Sequence, residues 1–164
     1  MSSYVALAVS VGVLAVVATW LFFYDPVAAQ NLQVWQAFIA WGCHYHSGGK
    51  ASGTTKTIVC MSFGAVVGMT AGILAGGAFA SLGQFAAPVA VGLGATVICL
   101  ASKVPFLGTI PASVYGFASI AGLFLLGTGM SPTRALLPTI LSIVIGAAFG
   151  YVSEALAGAL GKKK

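Results

Sequence analysis

The chain has 164 residues, a formal net charge of +5, and only 5% Asp, Glu, Lys and Arg, where an ordinary soluble domain carries about 25%. With 59% hydrophobic residues and a mean hydropathy of +1.04, it cannot cover a water-facing surface, so its solvent is lipid. The basic residues sit in short connections and in a Lys162-Lys163-Lys164 tail; they read as topology signals and contacts to anionic lipid rather than as a nucleic-acid surface.

A single domain is expected over 1–164. At about 20 residues per crossing, the sequence predicts an all-α integral membrane protein with about six transmembrane helices. The first runs over about 5–24 and stops at Asp25-Pro26. No Lys or Arg precedes it and it is longer than a secretory h-region, so it is read as a retained helix. The second, over about 31–46, is short and polar at its start, and Ser47-Gly48-Gly49-Lys50 stops it. The third covers about 57–76 and the fourth about 85–101, ended by Ser102-Lys103. The fifth covers about 106–126, turned by Gly127 to Pro132, and the sixth about 134–160. The connections are rich in Gly, Pro, Ser and Thr, as turns require.

With both termini cytoplasmic, the inner connections hold Lys50, Lys56, Lys103, Lys162, Lys163 and Lys164, and the outer ones hold only Arg134. That bias is the positive-inside pattern for an even number of crossings.

The halves 4–78 and 84–160 resemble each other. Val9, Val11, Gly12, Ala15 and Val17 recur as Val89, Val91, Gly92, Ala95 and Val97, a spacing of 92 − 12 = 80. Val34-Trp35 meets Val114-Tyr115 at that spacing, and Gly64-Ala65 and Gly68 recur as Gly146-Ala147 and Gly150, a spacing of 146 − 64 = 82. The alternative is chance matching in a Gly/Ala/Val-rich chain. A true repeat of three spans places the second copy upside down, the inverted arrangement common in transporters and channels.

Gly64, Gly68, Gly72 and Gly76 recur every four residues on the third span, and Gly146 and Gly150 form a shorter groove on the sixth. Such grooves let helices approach closely in lipid, either within one protomer or at the seam of a homo-oligomer.

The second span carries most of the chemistry. Gln36, Ala40, Cys43 and Ser47 share a small, partly polar face, and Phe38, Trp41 and Tyr45 share an aromatic one. A buried amide needs a partner: Gln36 either lines a wet pathway or bonds a neighbouring helix. Cys43, Cys60 and Cys99 read as small apolar packing residues, being odd in number and set in apolar runs. His44 and His46, at i and i+2, point to different faces, which argues against a metal site; they read as interfacial residues or as a pH-sensitive gate. Glu154 shares the face of Gly146 and Gly150. It is either an interfacial carboxylate paired with a lysine such as Lys103 or a gating or proton-coupling group. The pathway candidates are thus Gln36, Cys43, His44 and Glu154, with Ser113, Tyr115 and Ser119 on the fifth span, where Pro111 is a candidate helix break. Trp20, Phe22, Phe23 and Tyr24 read as an aromatic belt. No nucleophile elbow, phosphate loop or zinc motif occurs, so neither an enzyme nor a cofactor site is expected.

The Trp35-x-x-Phe38 stretch running into Gly48-Gly49, the segment Phe106-Leu107-Gly108-Thr109-Ile110-Pro111, and Leu137-Pro138 followed by Ile145-Gly146-x-x-Phe149-Gly150-Tyr151 resemble small bacterial inner-membrane proteins of the YcdZ type, a domain family of unknown function. The resemblance implies a bacterial inner-membrane protein of this size with several spans. It brings no substrate and no functional residues.

Two functional expectations follow. One is a channel or simple transporter for a small uncharged solute, since a charged one would want intramembrane counter-charges that are nearly absent. Six-helix urea and amide channels share the size and layout, an analogy at fold level. The other is an accessory membrane subunit that binds a partner through its glycine faces.

Overall fold

The computed structural model describes residues 1–125 and 128–161. The lysine tail, Leu126 at the end of the expected fifth span and Gly127 of the turn after it lie outside the described residues. Six helices dominate: α1 (Ser3–Phe23), α2 (Val34–His46), α3 (Lys50–Gly76), α4 (Ala86–Ala101), α5 (Ile110–Leu125) and α6 (Pro132–Leu160). No strand occurs among the described residues.

Among the described residues, four stretches are long and apolar enough to cross a bilayer: Ser3–Phe23, Lys50–Gly76, Ala80–Ala101 and Pro132–Leu160. The third of these joins α4 to a 3₁₀ turn, Ala80–Phe85, bent at Gly83 with φ 56°. Helix α5 is apolar but has 16 residues, and α2 has only 13. At 1.5 Å per residue α2 spans about 20 Å, short of the roughly 30 Å hydrocarbon core. The sequence therefore resolves into six helices, four of which have the length and composition of a crossing.

The helix ends follow local chemistry. Ser2 caps α1, its side chain accepting from the Val5 N–H at 3.3 Å. Between α2 and α3 the chain turns in three residues. The Gly49 N–H bonds the His44 carbonyl at 2.9 Å and the Gly48 N–H bonds that of Tyr45 at 3.1 Å. This paired closure is the Schellman pattern, which places a left-handed residue just past the helix; Gly48 has φ 101° and Gly49 φ 68°. Helix α3 starts immediately afterwards, earlier than its hydropathy suggests, because Lys50, Thr54, Thr55 and Lys56 extend it beyond the apolar run.

Proline placement corrects one expectation. Pro111 is the second residue of α5, where a missing N–H costs no helical bond, so it does not break that helix. The interior proline is Pro138 in α6, which leaves the Arg134 carbonyl without its helical donor.

Small residues set the packing. Helix α3 lies directly on α5: a Cβ on Gly64 would collide with the Ser113 carbonyl, and one on Gly116 with the Met61 carbonyl. Helix α6 lies as closely on α2, where a Cβ on Gly146 would collide with the Ala37 carbonyl. In lipid, such backbone contact and its dispersion energy replace the hydrophobic drive. Helices α1 and α4 are peripheral: Val13, Val16 and Trp20, like Val89, Leu93 and Val97, face outward. Of the aromatic belt, Trp20, Phe23 and Tyr24 are exposed, with Trp20 and Tyr24 stacked at 5.6 Å, whereas Phe22 is buried in the core. Gly161 lies against Ser3 and Ala6, so the start of α1 and the end of α6 share one end of the bundle.

Candidate functional site

The buried face of α2 carries a line of polar side chains, each met by groups from α3, α5 or α6. At its start, the Gln33 N–H donates to Ser142 Oγ at 3.0 Å, and Trp35 Nε1 donates to Gln33 Oε1 at 3.2 Å. One turn on, Gln36 is fully buried. Its Nε2 donates to the Ser119 carbonyl at 2.8 Å and to Thr139 Oγ1 at 3.1 Å. Both amide protons are thus used. Its Oε1 has no partner among the described residues, nor do the buried hydroxyls of Ser119 and Thr57. Each such group left bare costs about 1–3 kcal/mol.

In the middle of α2, Ser153 of α6 gathers three bonds. Trp41 Nε1 donates to its Oγ at 2.9 Å, and that hydroxyl donates to the Gly150 carbonyl at 2.8 Å. With its single proton so used, Ser153 Oγ accepts from the Tyr45 hydroxyl at 2.7 Å. The Ser153 carbonyl accepts from Ser10 Oγ of α1 at 2.6 Å. Trp41 also stacks on Phe149 at 5.5 Å and on Phe38 at 5.9 Å. Cys43 is buried, with its Sγ 3.6 Å from Ser47 Oγ.

At the far end, fully buried His44 joins three helices. Its Nε2 is 3.0 Å from Glu154 Oε2 on α6 and its Nδ1 is 3.1 Å from Thr54 Oγ1 on α3. Glu154 also accepts the Lys50 backbone N–H at 2.6 Å. Its partners are therefore His44 and the first turn of α3 rather than Lys103. Three glycines make the room: a Cβ on Gly150 would lie 2.7 Å from the His44 ring, one on Gly53 2.7 Å from the His44 carbonyl, and one on Gly49 2.9 Å from the Glu154 carboxylate. His46, two residues on, is exposed and stands edge-on to Tyr115 at 5.8 Å.

Of the sequence candidates, the fold unites Gln36 with Ser119, and His44 with Glu154. Ser113 is buried, but its carbonyl lies on Gly64, and the half-buried Tyr115 ring packs by His46. Gly68 faces Ile120 and Phe117, and Gly72 faces Pro132 and Phe124, whereas Gly76 meets nothing within 4 Å. Sequence reasoning passed over Thr54, Thr57, Thr139, Ser142 and Ser153. A signal existed for three of them: Ala135, Thr139, Ser142, Gly146, Gly150 and Ser153 recur at three- and four-residue steps, a small-polar stripe on α6.

Open grooves flank the seam. One of about 430 Å³ is lined by Lys50, Ala51, Tyr151, Glu154 and Ala155. Another, of about 500 Å³, lies by Asn31, Thr133, Arg134 and Pro138. Between them, Gln36, Cys43, His44 and Ser119 are 0–1% exposed: the seam is closed.

An all-helical bundle with four helices fit to cross a bilayer, wrapped around a polar seam, defines a membrane protein. The chain belongs to the family described as "Protein of unknown function (DUF1097)", which it matches over residues 8–158. No curated protein and no solved structure matches it.

Proposed function

We propose that this is a bacterial inner-membrane protein of the YcdZ type that passes a small uncharged solute along the face of α2, opening from the closed state described above. The observation that carries this reading is the Gln36–Ser119 position: a fully buried amide whose carbonyl, like the neighbouring hydroxyl, is left free. Those atoms suit a neutral molecule bearing N–H or O–H groups. An ion would need counter-charge, and Glu154 at the end of the seam is already engaged.

The architecture proposed with it is six crossings with both termini cytoplasmic, made of two inverted halves. The neighbouring ends of α1 and α6 support an even count. Burial supports the repeat. Ala6, Ser10 and Ala18 of α1 correspond, at the spacing 86 − 6 = 80, to the buried Ala86, Ala90 and Ile98 of α4. Every buried position of α6 falls, at 146 − 64 = 82, on a buried position of α3. The two closest crossings, α3 on α5 and α6 on α2, also exchange between the halves: Gly64 meets Ser113 as Gly146 meets Ala37, α5 following α2 at 113 − 37 = 76. The short helices α2 and α5 then occupy equivalent places in the two halves, where transporters often form their sites.

The alternative is an accessory subunit. The glycine faces offered for a partner or a second copy are taken up here by the chain's own helices, which favours the solute reading. Proteoliposome shrinkage against a panel of urea, formamide, glycerol and potassium chloride tests it. Solute-selective shrinkage above empty liposomes is expected, and Gln36→Leu should lower it at equal incorporation. Shrinkage equal to empty liposomes for the whole panel, with a fixed partner co-purifying, selects the accessory role.

A further inference from the structure

The hydrogens around His44 can be counted. Thr54 Oγ1 bonds the Lys50 carbonyl at 3.0 Å, and since a carbonyl only accepts, the Thr54 proton is committed there. The same Oγ1 lies 3.1 Å from His44 Nδ1. With that bond kept, Thr54 can only accept, and Nδ1 then carries a hydrogen. On the other side, Nε2 lies 3.0 Å from Glu154 Oε2. That same oxygen already accepts the Lys50 N–H at 2.6 Å, the role of an ionised carboxylate, so Nε2 must carry a hydrogen too. All the bonds hold together only for the doubly protonated imidazolium. A neutral ring must drop one: with hydrogen on Nε2 alone, the Thr54 hydroxyl either turns to donate to Nδ1 and leaves the Lys50 carbonyl, or keeps that carbonyl and leaves Nδ1 bare.

We propose that His44 and Glu154 form a proton-binding latch, in which a bound proton lets Thr54 bond the ring and the Lys50 carbonyl together, and its loss breaks one of those two bonds in the first turn of α3. The groups on the ring are Glu154 from α6, Thr54 from α3 and, edge-on at 5.1 Å, Tyr45 of α2 itself, while Lys50 of α3 bonds the same carboxylate through its backbone N–H. The ring is fully buried, whereas the Glu154 side chain is 33% exposed beside the groove that Lys50 and Tyr151 help line. Protons therefore exchange through the carboxylate. Because both Thr54 bonds stand together only with the proton bound, the latch tightens on protonation and loosens on its loss. The Schellman turn at Gly48 and Gly49, which joins the two helices, is where that release is felt. The latch stands on this geometry alone and does not depend on the solute reading.

Nitrogen-15 NMR of ring-labelled histidine tests it, on full-length protein in bilayers with His46→Gln leaving one histidine. At pH 6 both ring nitrogens of His44 should show the protonated signature. Glu154→Gln removes the opposite charge and should cut the ratio of charged to neutral ring by about tenfold or more. Thr54→Val should cut it as well, by removing the acceptor for Nδ1–H. Hydrogen exchange at Gly49 to Gly53, corrected for intrinsic rate, should accelerate between pH 6 and pH 8 in the parent and lose that pH dependence in Glu154→Gln. A single neutral tautomer from pH 5 upward overturns the proposal. So does a charge ratio indifferent to both variants, because a purely structural pair would change stability and leave the protonation ratio alone.

Discussion

The imidazole of His44 fills the space that a side chain at position 150 would need: a Cβ on Gly150 would stand 2.7 Å from His44 Cβ and Cγ. The tight crossing of α2 and α6 is therefore what gives His44 its access to Glu154. Gly150→Ala should push the ring aside and destabilise the protein by about 1–3 kcal/mol through overpacking. Gly76→Ala, at a position with nothing within 4 Å, should leave the melting temperature in detergent essentially unchanged. Parallel thermal unfolding of the two variants checks this.

Gly64 and Gly116 interlock α3 and α5 by placing each helix's backbone against the other. Gly64→Leu or Gly68→Leu should separate the pair and abolish the folded species in gel filtration. A variant that keeps its elution position and melting temperature would show that these glycines are spectators.

Gln36 and Thr139 are 3.1 Å apart across the α2–α6 interface. A double-mutant cycle with Gln36→Leu and Thr139→Val should give a favourable coupling of about 0.6 kcal/mol, the usual size for interhelical bonds in membranes. Additive effects would mean that the amide is held by the Ser119 carbonyl alone.

Ser153 is the acceptor for both Trp41 and Tyr45. Ser153→Ala leaves an indole N–H and a phenol bare in the core, and should cost about 1–3 kcal/mol. Ser153→Thr, which keeps the hydroxyl, should lose less where the extra methyl is tolerated. Chemical unfolding followed by tryptophan fluorescence checks the order of the two.

Reporter fusions to the two ends should both be active on the cytoplasmic side. Reporters in opposite compartments would remove the six-crossing proposal and the inverted halves together.

Much of the fold was legible because lipid imposes a simple code. Long apolar runs, Gly/Pro/Ser stops and the four-residue spacing of Gly64, Gly68 and Gly72 mark the helices and the faces on which they meet. The site was legible on α2, where Gln36, Cys43 and His44 stand out against an apolar background, and in Ser119 and Glu154 on the helices that meet them. Its other hydroxyl partners were not. Thr54 and Ser153 look like ordinary small residues in a Gly/Ser-rich chain, and only tertiary packing makes them neighbours of α2. Glu154 was visible as a rare carboxylate, but its bonds to His44 and the Lys50 amide depend on a turn whose shape Gly48 and Gly49 dictate. Pro111 and Pro138 look alike in sequence, and what separates them is where each helix begins.

The column of polar atoms from Gln36 to His44 is sealed by its own neighbours, so if the proposed passage of a solute holds, traffic must wait for helices already pressed backbone to backbone to part.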